Sequence, residues 1–255
     1  MKKVSKVPKV SKTPDITLEE LLEAGCHFGH QVKRWNPKMA PYIYGDKDGV
    51  HIFDLAKTRE SLLAAADSVK KTVSEGGIVL FVGTKRQAKE VVEAAAKKVG
   101  MPYLTTRWLG GALTNFEQIK KSIKKLSDLK EGLKTGKYDS YTKRERLLMD
   151  REISSLERVF GGIVDMGRLP DMIFLASVHE EATAVREAVR VNIPIVGITD
   201  TNADPKPIDY SIPANDDAVK SVSLIVDTIA GAVQEGQSKS KINQLSDLFE
   251  RVYYN

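Results

Sequence analysis

A single cysteine, Cys26, stands in a chain of 255 residues, so no intrachain disulfide can form and a reducing compartment is the natural setting. Long apolar runs are missing as well. No stretch approaches the ~18 apolar residues of a membrane-spanning helix, which points to a soluble, intracellular protein. The motifs of common catalysts are also absent. There is no G-x-S-x-G elbow, no H-E-x-x-H, no complete P-loop and no G-x-G-x-x-G. With one cysteine and four histidines, a closed zinc site built from cysteine and histidine pairs is not expected. A carboxylate-assisted site using His30 with Asp200, Asp204 or Asp216 stays open.

What the chain does have is positive charge. Lys and Arg number 39 against 34 Asp and Glu, a formal charge of +5 and a pI near 9.0, and such an excess matters where it clusters. The first twelve residues, MKKVSKVPKVSK, hold five lysines and no acid. No apolar segment follows them, so residues 1–14 are expected to form a disordered basic arm and not a secretory signal. From Ala24 to Gly45 the chain has no acidic residue, yet it packs in three cations, four aromatic rings, two histidines and the cysteine.

Apolar runs alternate with helix-like segments. Strands are expected at 49–55, 77–83, 102–105, 171–177 and 193–200, with a short one at 208–213. Runs that are apolar on both faces suit a parallel sheet covered on each side. Helices are expected at 58–74, 86–99, 180–191 and 216–235. The pattern is an open, mostly parallel α/β sheet, flavodoxin-like in strand order, with helices on both faces.

One segment departs from this rhythm. Phe116, Ile119, Ile123, Leu126, Leu129 and Leu133 fall at spacings of three and four, and a second stripe follows at Leu148, Ile153, Leu156, Val159, Phe160 and Ile163. Thr114 with Glu117, and Thr142 with Glu145, fit the capping box that satisfies orphan N–H groups at a helix start. An antiparallel helical hairpin over 116–160, inserted in an α/β domain of residues 15–115 and 161–236, is therefore expected. Glu117 to Phe160 carries twelve Lys and Arg against eight Asp and Glu, with Lys120, Lys121, Lys124 and Lys125 crowded together. The polar stretch QEGQSKSK, from Gln234, reads as a linker, and residues 237–255 take in its end and a tail helix that docks on its own body or on a partner.

The turn FVGTKRQAKE, Phe81 to Glu90, follows a strand and opens a helix with Lys85, Arg86 and Lys89 near its start. Free N–H groups and cations there suit a phosphate, either of a polyanion or of a nucleotide. Lys33, Arg34 and Lys38 surround Trp35, and Arg107 precedes Trp108. Cations bind phosphates and exposed rings stack on unpaired bases, although large rings are more often core.

The stretches GCHFGHQVKRWNPKM, GVHIFDLAKT, FVGTKRQA, RWLGGALTNF, IPIVGITDTNADP and IDYSIPANDDAVKS occur in that order. Together they resemble the family of the second protein of the small ribosomal subunit, in its bacterial or organellar branch, from about Ile16 to Glu235. The resemblance implies a non-enzymatic structural protein of the cytoplasmic ribosome. Its expected partners are small-subunit ribosomal RNA and neighbouring proteins, including the large mRNA-binding one, with no DNA and no membrane. Carried over, it makes Lys33, Arg34, Trp35, Lys38, Lys85, Arg86, Lys89, Arg107, Lys120, Lys121, Lys124 and Lys125 the RNA-contact candidates. It requires no cofactor, but it suggests a zinc ion shared with a partner near His30, Asp200, Asp204 and Asp216. The competing reading is a sugar-phosphate or nucleotide enzyme on the same sheet, with Gly83 to Arg86 as its phosphate turn.

Overall fold

The computed structural model describes residues 16–138 and 140–253, with backbone alone over 241–253, so the basic arm expected over 1–14 lies outside the described residues. In chain order the elements are α1 (Leu18–Glu23), β1 (Phe28–Gln31), β2 (Ile43–Lys47), β3 (Val50–Phe53), α2 (Leu55–Ser74), β4 (Val79–Val82), α3 (Lys89–Val99) and β5 (Tyr103–Leu104). There follow α4 (Phe116–Lys134), α5 (Lys143–Phe160), β6 (Met172–Leu175), α6 (Ala182–Arg190), β7 (Ile195–Thr199), β8 (Tyr210–Pro213) and α7 (Val219–Tyr253).

Five strands form a wholly parallel sheet in the order β5-β4-β6-β7-β8. Counted within that sheet alone, this is the 2-1-3-4-5 order of flavodoxin-like folds. Every residue of β4, β6 and β7 is buried, as apolar runs covered on both faces must be. Alternation along the strands divides the core. Phe81, Phe174 and Ile198 face α2, α3 and α7, whereas Leu80, Leu175 and Ile195 face α6 and the base of α4. Phe81 and Phe174 meet as a tilted pair with ring centroids 5.5 Å apart.

The strand expected at 49–55 is not in this sheet. It is β3, the centre of a separate antiparallel sheet ordered β1-β3-β2. The cause is the turn that precedes it. Asp48 and Gly49 have φ of 54° and 77°, and Lys47 pairs with Val50, so the two residues close a tight hairpin that fixes β3 beside β2.

The hairpin forms as expected, from α4 and α5, but its details differ. The Thr142–Glu145 capping box is present, whereas α4 starts after Asn115 with no side-chain cap. Leu148 is 55% exposed and lies off the seam, which half-buried Met149 and buried Ile153 occupy instead. The residues expected to be a linker are helical and belong to α7. They are docked: Glu235 pairs with Lys70, and Gln237 Nε2 donates to the Val99 carbonyl at 2.7 Å. At Gly236 a Cβ would lie 2.7 Å from the Lys70 carbonyl oxygen, so glycine lets α7 and α2 meet backbone to backbone. Side chains of the tail stripe from Ile242 lie outside the described residues.

Candidate nucleic-acid interface and acidic cluster

The carboxyl ends of β4, β6, β7 and β8 deliver Lys85, Ser177, Asp200 and Asp216 to one place, at the edge where open α/β sheets bind ligands. His30 joins them from β1. That approach depends on Gly29, since a Cβ there would lie 2.6 Å from Thr201 Cγ2. The neighbouring His30 N–H donates to Thr201 Oγ1 at 2.8 Å, and the Asn36 N–H donates to the Thr201 carbonyl at 2.7 Å.

Within the cluster, His30 Nδ1 lies 2.9 Å from Asp200 Oδ1 and Nε2 lies 3.4 Å from Asp217 Oδ2. The Lys85 ammonium is 2.7 Å from Asp216 Oδ1 and 2.7 Å from Asp217 Oδ1. Ser177 Oγ donates to Asp216 Oδ2 at 2.5 Å. Asp200 and Asp216 are each 1% exposed. Contact with Asp200 raises the His30 pKa above its ordinary value despite partial burial. Burial, helped by the Asp200 charge, raises the Asp216 carboxyl. For Lys85, burial opposes the ammonium, but pairing with Asp216 and Asp217 outweighs it and the pKa is raised.

The donors of His30, Asp200, Asp216 and Asp217 all lie within 4.8 Å of one another. Three carboxyl groups and one histidine thus surround a single ammonium, an acid-rich group whose charge a divalent cation would offset. His30 Nδ1 is buried without a well-aligned hydrogen-bond partner, although Asp200 is close. A histidine nitrogen and carboxylate oxygens are ordinary zinc donors, so these side chains fit the ion. Asp204 is not among them. It pairs with Lys38 and accepts the Lys206 N–H at 3.0 Å. Asp217 takes its place, turned in where Asn215 Oδ1 accepts the Asp217 N–H at 2.8 Å.

The remaining candidates are distributed over four segments. Lys33 and Arg34 are exposed on the short turn after β1, and Trp35, 36% exposed, packs against His51 with ring centroids 5.1 Å apart. Arg86 is exposed and Lys89 half-buried where the chain leaves β4, but two groups of this turn are engaged internally. The helix starts only at Lys89, the Thr84 N–H donates to Glu181 Oε1 at 2.8 Å, and Lys85 is held by aspartates. On the hairpin, Lys120 pairs with Glu117 and Lys125 with Glu152, while Lys121 and Lys124 are exposed and make no ion pair among the described residues.

Arg107 is exposed on a loop whose architecture depends on a residue far away in sequence. Glu187, buried on α6, accepts hydrogen bonds from Trp108 Nε1 (3.0 Å), Gly111 N (2.8 Å), Leu113 N (3.1 Å), Thr114 N (3.2 Å) and Thr114 Oγ1 (3.2 Å). Burial alone would raise this carboxyl, yet those donors hold its pKa below the ordinary value. Thr114 is thereby used by Glu187, which is why it does not cap α4.

The family model described as Ribosomal protein S2 matches residues 21–236. The chain belongs to the ribosomal protein S2 family. It is therefore a structural, non-enzymatic component of the small ribosomal subunit. A small ribosomal subunit protein uS2 of Bradyrhizobium sp. (strain ORS 278) is 52% identical over 228 residues, 89% of this chain and 69% of that protein. The uS2 proteins of Rhodopseudomonas palustris (strain BisB18) and Nitrobacter hamburgensis match 89% of this chain at 51% and 50% identity, covering 68% and 69% of their own lengths. For an S2 family member, the enzyme reading of the Gly83 turn falls away, in agreement with the commitment of Lys85 and Thr84 to internal partners. Two residues that sequence reasoning missed, Asp217 and Glu187, left different traces. Asp217 lies inside the quoted motif IDYSIPANDDAVKS, and Glu187 is an acid on the otherwise apolar face of Ala184, Val185 and Ala188.

Proposed function

We propose that this S2 family protein binds small-subunit ribosomal RNA and helps recruit the large mRNA-binding protein of the same subunit, supporting translation initiation on cytoplasmic ribosomes. One observation carries the RNA part. Lys33, Arg34, Arg86, Arg107, Lys121 and Lys124 are exposed on four separate segments of one fold, and none has an ionic partner among the described residues. Such cations neutralise phosphates and release counterions, which supplies affinity, while sheet and hairpin fix where the charges stand. Lys38, Lys85, Lys120 and Lys125 are each held by a carboxylate and are secondary contacts in this reading.

The acidic cluster is the proposed place for a zinc ion shared with the recruited protein, held by His30, Asp200, Asp216 and Asp217. When bound, zinc would supply a positive charge that offsets these carboxylates and attracts a partner's polar groups to this edge. The residues themselves orient the site: Thr201 fixes the His30 backbone, and Ser177 holds the Asp216 carboxylate.

Sedimentation of a tagged copy tests both parts. The chain should migrate with small subunits at low salt and be loosened by a high-salt wash. Small subunits lacking it should retain less of the large mRNA-binding protein. Migration at the top of the gradient under both conditions would overturn the reading.

A further inference from the structure

Arg144, Arg151 and Arg158 recur every seventh residue along α5, so they share one helix face and span ~21 Å at 1.5 Å per residue. This face is opposite the one that Met149, Ile153, Leu156 and Phe160 turn toward α4. None of the three guanidiniums has a carboxylate within 4.0 Å among the described residues. The contrast with α4 is sharp: Lys120, Lys125 and Lys130 are all paired, with Glu117, Glu152 and Glu157. Lys125 and Lys130 are spent on holding the hairpin together, and besides the free Lys121 and Lys124 of α4 a second set of free charges lies on the outer side of α5.

Between the arginines the face is not blank. Ser154 and Ser155, both exposed, form with Arg151 and Arg158 a shallow notch that has one carboxylate, Asp150, on its wall. Leu147 and Leu148, 50% and 55% exposed, stand between Arg144 and Arg151. At the base of α5, Thr106 Oγ1 donates to the Arg158 carbonyl at 3.1 Å, so the stripe ends one residue from exposed Arg107.

We propose that this outward face of α5 docks on the sugar-phosphate surface of double-helical ribosomal RNA. Guanidiniums at Arg144, Arg151 and Arg158 take phosphates as bidentate forks, and the hydroxyls of Ser154 and Ser155 meet phosphate or 2′-hydroxyl oxygens. A straight helix suits the wide, shallow minor groove of A-form RNA, where Leu147 and Leu148 contact ribose. Charge complementarity selects RNA over protein here. Three arginines without an ionic partner among the described residues and two hydroxyls outnumber two leucines. The inference rests on the RNA-binding reading above and names the part of the hairpin that serves it.

The test titrates the full-length chain onto small subunits stripped of it, over a range of salt concentrations. Arg151→Gln/Arg158→Gln should bind on the order of 10-fold more weakly at moderate salt, with a salt slope shallower by about two, because two phosphate contacts are lost. Circular dichroism should be unchanged, since both side chains are exposed. A benzoylphenylalanine at Ser155 should crosslink to RNA on irradiation. Unchanged affinity and slope, or crosslinks to protein alone, would overturn the inference. Arg107→Gln serves as the reference: if it weakens binding and the double variant does not, only this inference fails. If the wild type does not bind stripped subunits, the RNA reading itself fails.

Discussion

The indole N–H of Trp108 donates to Glu187 Oε1 at 3.0 Å, across 79 residues of sequence, and that one carboxylate also gathers three backbone N–H groups of the Gly111–Thr114 turn. Removing it leaves the buried Leu113 N–H and the half-buried Trp108 and Gly111 donors without a partner, at a cost of up to about 1–3 kcal/mol each. Glu187→Ala should therefore destabilise the fold by a few kcal/mol and loosen the loop carrying Arg107. Glu187→Gln, which keeps one acceptor oxygen, should do less. Thermal unfolding and amide exchange at Gly111 and Leu113 measure both effects. Equal stability of the alanine variant and the wild type would remove the clamp from the account.

The same clamp has a pH dependence of fixed sign. The folded Glu187 pKa is lowered, so its stabilisation is present above the unfolded carboxylate range, near pH 4.3, and is lost as pH falls through the folded value. Acid should loosen the Trp108 loop, seen as a change in tryptophan fluorescence. In Glu187→Gln that part of the acid transition should be absent.

At Gly29, an added Cβ would sit 2.6 Å from Thr201 Cγ2 and 3.3 Å from the His51 carbonyl oxygen. Gly29→Ala should cost about 1–3 kcal/mol, the usual range for overpacking. Adding Thr201→Ser removes the closest methyl but keeps the hydroxyl that binds the His30 N–H, so the double variant should recover part of the loss. No recovery in thermal unfolding would mean that the close approach of β1 to the Thr201 turn is not what requires glycine.

The proposed zinc site treats the carboxylates differently. Asp217→Asn should weaken zinc affinity measured by competition with a chromophoric chelator, because Asp217 belongs to the four-donor group. Asp204→Asn should leave it unchanged, since Asp204 is engaged by Lys38 instead. The reverse order of effects would return the site to the residues that sequence alone suggests.

Local signals in the sequence identified the layers of this fold. Strands β4, β6 and β7 are apolar on both faces and were legible for that reason, and the hairpin was legible from spacings of three and four residues. Thr142 and Glu145 lie three residues apart and find each other without tertiary help. What was not legible depends on contacts distant in sequence. Thr114 has the same spacing to Glu117, but Glu187 takes its hydroxyl. Lys85 looks like a free cation at a helix start until Asp216, 131 residues later, is brought to it. The polar run after Gln234 reads as a linker until Lys70 and Val99 give it partners. The Asp48-Gly49 turn was a local signal that simply outweighed the apolar run beside it. Of the candidate site, the motif segments were legible as segments, whereas the division between free and paired cations was not.

Salt dependence of binding tests the central claim, RNA anchoring by unpaired cations, most directly. The full-length chain is titrated onto stripped small subunits across a salt series. Six contacts, from Lys33, Arg34, Arg86, Arg107, Lys121 and Lys124, should give a slope of log affinity against log salt of about −4 to −5, steeper still if α5 also docks. An affinity that hardly changes with salt would contradict the account and leave protein neighbours to hold this chain in place.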